Sequence, residues 1–406
     1  MARVTFVRPD AGRGGFRRRL EAIAYGILGL ALVAGCSAPA AAGPAPPPPA
    51  PAPSPPPRVT VDPADGTKAV APSGVVTVTA SGGTLSGVTL TADDGSVLPG
   101  ALATGGTTWR ATAAPKFGTA YHFAGTATGR GGTTPVTGTF TTVSPKKYVT
   151  ATTTIGDGQT VGVAAPIMIQ FSRSIPASSR AAVERALSVT TSMPVTGSWG
   201  WLPDAYGGSR VHWRPKDYWP VGTTVKMAAH LYGLDMGSGF GKVDLTTDFA
   251  IGRSQIVKAD ARSHHIQVVR DGKVAMDLPA SYGAESDPRR VTRSGTHIVM
   301  AKAQTVLMSN PDYGYVDMPE HWAVRISNNG EFIHANPVSS WAQGKRNITH
   351  GCINLSTTNA KNYFDTAMFG DPVEITGTAV QLSAADGDVF DWAVPWDQWT
   401  KMSALH

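Results

Sequence analysis

Two dipeptides recur at one shared spacing. Trp109-Arg110 is answered by Trp213-Arg214 and Gly118-Thr119 by Gly222-Thr223, each 104 residues further on, and Asp65-Gly66 has a looser counterpart in Asp157-Gly158. A shared offset over separate dipeptides points to a tandem duplication, so the two stretches must fold alike. In the first copy, short Val/Thr-rich runs at 75–79, 88–91, 121–124 and 138–141 alternate with Gly-rich turns. Strands of that length with period-two alternation predict a β-sandwich of about a hundred residues. The sandwiches are expected over 59–147 and 148–252, the second with an inserted helix over 177–188.

Upstream of the duplication lies a targeting segment. Arg17-Arg18-Arg19 precedes an apolar run over 22–34, too short to span a bilayer comfortably as a permanent helix. It ends in Leu32-Val33-Ala34-Gly35-Cys36. This resembles a bacterial lipobox, which implies a signal peptide over 1–35, a diacylglycerol on Cys36 and two acyl chains for stable anchoring in a membrane. The arginine triplet leaves the export route open between general secretion and twin-arginine transport. Residues 36–58 are almost entirely Pro, Ala and Ser after the cysteine, a composition that favours an extended spacer of roughly 3.1 Å per residue. The formal charge of +6 invites a nucleic-acid reading. Six arginines against Asp10 and Glu21 sit before residue 36, however, and removing them leaves about +2, no footprint for nucleic acid.

The chemistry sits near the other end. Asp271-Gly272 joins two alternating runs over 263–276 as a hairpin. Further strands are expected over 295–300, 324–326, 331–334 and 371–375, with a helix over 357–368. Together they describe a compact, mostly β domain over 253–377. Cys352 is the only cysteine outside the N-terminal targeting region, so it has no disulfide partner within the globular part of the chain. His334 stands 18 residues ahead of it, across a Ser/Gly-rich loop, and His350 stands two residues before it. A thiolate is a strong nucleophile, and a nearby imidazole can take its proton and hold the resulting charge. The Gly351-Cys352 step allows close backbone approach, with both amides available to a developing oxyanion. This is the equipment of acyl transfer. A buried inert thiol remains open at this level, as does a zinc site on His334, His350 and Cys352, although no second cysteine or carboxylate pair stands at familiar ligand spacing.

His334, a linker and Thr349-His350-Gly351-Cys352-Ile353-Asn354 together resemble the signature of the YkuD-type L,D-transpeptidases, most closely the actinobacterial lipoprotein members with two immunoglobulin-like domains. The implied fold is mainly β: two tandem immunoglobulin-like sandwiches, a mostly β catalytic domain with one or two helices, and a Trp-rich tail over 378–406 packed on the catalytic domain. The sandwiches are then spacers, with Trp199, Trp201, Trp213 and Trp219 in their cores rather than on a glycan-binding surface. The resemblance implies that Cys352 attacks the L-centred third residue of a donor tetrapeptide stem and expels D-alanine, with His334 as base and then acid. An acceptor stem's diaminopimelate amine then takes the acyl group in a 3→3 cross-link. His350 and Gly351 would line the site, Tyr315 and Met300 would contact substrate, and Asn354 would brace the loop beside it. No cofactor or metal is implied, whereas carbapenem β-lactams are expected as covalent inhibitors. The localisation implied is the extracytoplasmic envelope, on a lipid anchor.

Two departures stand out. Ala335 replaces a frequent serine but keeps the backbone carbonyl expected to orient the imidazole, and Val338 replaces a tryptophan that would wall the groove. A Gly/Pro-containing lid is expected over 301–322, because a transferase must keep water from the thioester. A sortase would need an arginine after its cysteine, where Ile353 stands, and NlpC-type peptidases place the cysteine before the histidine. The remaining alternatives are a lipid-tethered wall-binding adaptor and a transpeptidase that attaches proteins to the wall.

Overall fold

The sandwich strands pair as the alternation predicts. A computed structural model describes residues 54–386 and 389–405. Cys36 and the leader lie outside them. In the first sandwich a four-stranded sheet (Arg58–Asp62, Thr77–Ser81, Thr108–Ala111, Gly100–Leu102) faces a five-stranded sheet carrying the long strands Ala120–Gly129 and Gly132–Thr142. Val78, Leu90, Tyr121 and Phe140 fill the space between. The second sandwich sets Ile167–Phe171, Gly208–Pro215 and Gly197–Ala205 against Leu245–Ile251, Thr224–Ala229 and Leu187–Thr191.

The repeated tryptophans occupy matching places. Gly100 pairs with Ala111 and Gly197 with Pro215, in each case two residues beyond the tryptophan. A β carbon on Gly100 would fall 1.9 Å from the Trp109 ring, and one on Gly197 2.0 Å from the Trp213 ring. In both copies an indole lies flat on a bare backbone that only glycine provides. Trp199, Trp201, Trp213 and Trp219 are all core residues. The inserted helix runs Ala177–Arg185, shorter than expected, because Leu187 already starts a strand paired with Ala229.

Beyond residue 253 the strands form two sheets. One runs Lys273–Pro279, His265–Arg270, Gln255–Asp260, Pro372–Thr376, Gly295–Ile298, and the other Ala301–Asn310, Tyr315–Arg325, Phe332–Ala335, Ile353–Leu355. Asp271 and Gly272 both take positive φ, +49° and +78°, the conformation that a two-residue hairpin turn requires. The helix Thr357–Thr366 starts at Ser356, whose hydroxyl accepts from Asn359 N, and buries Ala360 and Tyr363. It stops two residues short of the expected end, where Ala367 turns to extended backbone.

The expected lid differs in kind: it is a long β-hairpin, Ala301–Asn310 with Tyr315–Arg325, turning through a 3-10 helix at Pro311–Tyr313. The tail first follows the catalytic sheets, through Ser294 N to Val380 O at 2.8 Å and Arg293 to Asp386 at 2.9 Å. It then runs between those sheets and the second sandwich. There Asp391 meets His212 at 2.8 Å, Trp392 Nε1 donates to Ala164 O and Trp399 Nε1 to Ser198 O. The Arg214 guanidinium lies 4.8 to 5.2 Å from the ring centres of Trp392, Trp396 and Trp399.

Candidate active site

His334 and Cys352 are brought together by strand pairing. The strand Phe332–Ala335 runs parallel to Ile353–Leu355 with His334 opposite Asn354, so the residue before the second strand arrives beside the histidine. The loop between them is held at several points. Asn336 caps a 3-10 turn, Pro337–Ser339, by accepting from Ser339 N. Arg290 donates to Ile348 O at 2.5 Å and to Thr349 O at 3.1 Å. Thr349 Oγ1 donates to Cys352 O at 2.6 Å and Thr292 Oγ1 to Gly351 O at 2.8 Å. Gly351 sits at φ +115°, where any β carbon would be strained. Its amide faces Thr349 Oγ1 at 3.3 Å, so this donor is engaged within the turn rather than aimed at an oxyanion as the sequence led one to expect.

The histidine is buried and the cysteine is not. His334 Nδ1 lies 3.0 Å from Ala335 O and 3.1 Å from Glu320 Oε2. Both partners are acceptors, so the proton belongs on Nδ1 and Nε2 is left for the sulfur. Burial alone would lower the pKa of His334, but hydrogen bonds with Cys352 and Glu320 outweigh it and raise the value to about 10. Cys352 is half-buried, with Sγ 3.6 Å from Gly330 O.

Two clefts meet at the sulfur. One, of about 490 Å³, is lined by Cys352, His334, Glu320, Tyr315, Met318 and Trp341, among others. The other, of about 320 Å³, carries Arg289, Arg293 and Arg325 beside Cys352 and His350. Tyr315 lines both, and burial together with the nearby Cys352 and Glu320 pushes its phenol pKa up. His350 packs against the rings of Tyr313 and Tyr315, at 4.6 and 5.5 Å, and partial desolvation beside Arg290 lowers its pKa. It therefore fastens the lid hairpin to the motif loop. Asn354 is buried at the cleft wall and donates to Ser339 Oγ at 3.3 Å, which braces the loop.

Met300 is placed elsewhere. It packs among Ala164, Ile298, Tyr218 and Trp392, between the second sandwich and the catalytic sheets, because the chain has not yet entered the hairpin there; Met308 and Met318 of the hairpin line the cleft instead. Val338 is 84% exposed on the rim, and Trp341, 58% exposed, lines the same cleft with an aromatic ring three residues further on. Glu320 was not legible in the sequence as a site residue. Its only signal is a carboxylate between Pro319 and His321 inside the lid segment.

The bacterial Ig domain family matches residues 67–235, and the L,D-transpeptidase catalytic domain family, YkuD, matches residues 254–375. L,D-transpeptidase 5 of Mycobacterium tuberculosis is 50% identical over 391 residues, 96% of this chain and 85% of that protein. L,D-transpeptidase 2 of the same organism is 36% identical over 351 residues, 84% of each chain. Among solved structures, an LD transpeptidase in complex with imipenem aligns at 33% identity over 55% of this chain and 97% of that one, with a TM-score of 0.46. With half of its residues shared across nearly its whole length, the chain belongs to the L,D-transpeptidases, enzymes of peptidoglycan cross-linking.

Proposed function

We propose that Cys352 is the nucleophile and His334 the general base of this transpeptidase. The observation that carries the reading is that both side chains line one open cleft, with His334 Nδ1 occupied by Ala335 O and Glu320 so that Nε2 serves the sulfur. His334 takes the thiol proton, and the sulfur attacks the carbonyl carbon of the third residue of a donor tetrapeptide stem. As the bond to D-alanine breaks, His334 passes the proton to the departing amine and a thioester remains. A diaminopimelate amine of the acceptor stem then attacks that carbonyl, gives its proton to His334 and displaces the thiolate. The product is a 3→3 cross-link. The developing oxyanion is met by the Cys352 amide and the Tyr315 hydroxyl.

The same chemistry makes carbapenems substrates that stall, since opening the β-lactam leaves an acyl group on the sulfur. The lipobox-like Leu32-Val33-Ala34-Gly35-Cys36 supports a lipid anchor on Cys36 and work on the outer side of the membrane. Intact-mass analysis after carbapenem exposure tests the nucleophile. One covalent adduct is expected on the native chain and none on Cys352→Ala. An adduct that survives in Cys352→Ala, or none on the native chain, overturns the assignment.

A further inference from the structure

The lid strand carries one residue too many at the point where it passes His334. His321 pairs with Ala335 and Val324 with Ile333, so the lid strand advances three residues while its neighbour advances two. Within that bulge Trp322 takes φ +54°, a conformation that side chains other than glycine rarely adopt. Its effect on Glu320 follows from the pleat. Paired residues share a face of the sheet and successive residues alternate. If the Val324–Ile333 register simply continued, Trp322 would oppose Ala335, and Glu320 would share Ala335's face, away from His334. The extra residue gives that place to His321 and turns Glu320 onto the face of His334. The outcome is a carboxylate oxygen 3.1 Å from the imidazole Nδ1, with the histidine side chain 4% exposed and the carboxylate 19%.

We propose that Glu320 is a positioning residue for this reaction: its carboxylate fixes His334 with Nδ1–H turned away from the sulfur and stabilises the imidazolium that faces the Cys352 thiolate. The inference rests on the cysteine–histidine reading above. The titratable groups around the imidazole are few. The lid hairpin presents Glu320, Tyr315 and His321, the last held by Thr305 Oγ1 at 2.9 Å from its Nδ1, and the motif loop presents Cys352 and His350. Among the described residues lining this cleft, Glu320 is the single carboxylate. The raised pKa of His334 accords with this arrangement, the attraction of Glu320 and Cys352 prevailing over burial.

The sign of the effect is fixed. A carboxylate at this distance favours the imidazolium, so its loss lets the proton leave at lower pH, by roughly one unit or more. The test uses the full chain with Glu320→Gln, which keeps size and an acceptor but removes charge, and Glu320→Asp, which keeps charge on a shorter arm. Two readouts are followed against pH: carbapenem acylation of Cys352, and the His334 ring signal by NMR. In Glu320→Gln the alkaline limb of acylation and the imidazole titration should both fall by about one unit or more, with Glu320→Asp between it and the native chain. A limb that stays in place while the rate drops uniformly, or equal shifts in both variants, would sink the proposal. His334→Gln separates the two levels. If acylation persists there at the native rate, the cysteine–histidine reading itself fails; if acylation needs His334 yet ignores the charge at 320, Glu320 alone is wrongly assigned.

Discussion

At the scale of single residues, Thr349 decides whether the cysteine is presented at all. Its hydroxyl donates to Cys352 O and accepts from Gly351 N, closing the turn that lifts the sulfur to the junction of the two clefts. A net hydrogen bond contributes about 1 kcal/mol, and 1.4 kcal/mol is a factor of ten. Thr349→Ala should therefore slow acylation of Cys352 by about tenfold and lower the melting temperature by a few degrees, while Thr349→Ser stays near the native chain on both; equal rates for both variants would remove the threonine from the account. Cys352, His334 and His350 stood out as candidates because a thiol with imidazoles near it can be read from residue type and spacing, while the bracing part of Thr349 could not. Glu320 was not, because its facing depends on one inserted residue in a strand register that no local pattern reports. Met300 failed for a related reason, since only the packing of two domains shows which way it turns.

At the scale of elements, the lid is a hairpin with a latch. Tyr313 at its tip donates to Asp287 at 2.8 Å and lies against His350, while Leu307, Val316 and Met318 stay exposed along it. Such a hairpin can restrict water at the thioester while leaving both clefts open at their ends. Trimming 306–319 to a short turn, with Glu320 kept, should raise the ratio of hydrolysed to cross-linked product in a donor–acceptor assay. An unchanged ratio would show that water is excluded elsewhere. Alternation announced His265–Arg270, Lys273–Pro279, Gly295–Ile298, Phe332–Ala335 and Pro372–Thr376, and Asp271-Gly272 announced its turn, whereas Gln255–Asp260, Ala301–Asn310 and Ile353–Leu355 were not read from it and Tyr315–Arg325 only at its end. What it did not announce was that the lid's Pro311 and Gly314 mark the tip of an ordered hairpin, since a turn signal alone does not show that the runs on either side of it pair with each other.

At the scale of the whole molecule, the second sandwich and the catalytic sheets are one body. Gly162 N donates to Phe369 O, Ala164 N to Gly370 O, and Tyr218 OH to Glu374, while the tail straps over the second sandwich. Trp399 is fully buried there with Leu202, Leu382 and Phe390. Trp399→Ala should cost about 3–5 kcal/mol in chemical denaturation. The carbapenem adduct should still form under native conditions, because the indole is remote from both clefts. Loss of the adduct in a folded variant would mean that the strap reaches the chemistry.

The strap ends on Glu184, a buried carboxylate of the second sandwich that accepts from Trp201 Nε1, Ser403 Oγ and Ala404 N. Ser403 lies 219 residues downstream of it. A ribosome therefore finishes that sandwich, with Trp201 as the acid's early partner, long before the other two donors exist. A message cut a few codons early would leave a chain with every residue of both clefts present and a buried carboxylate in its middle domain short of two of its three donors.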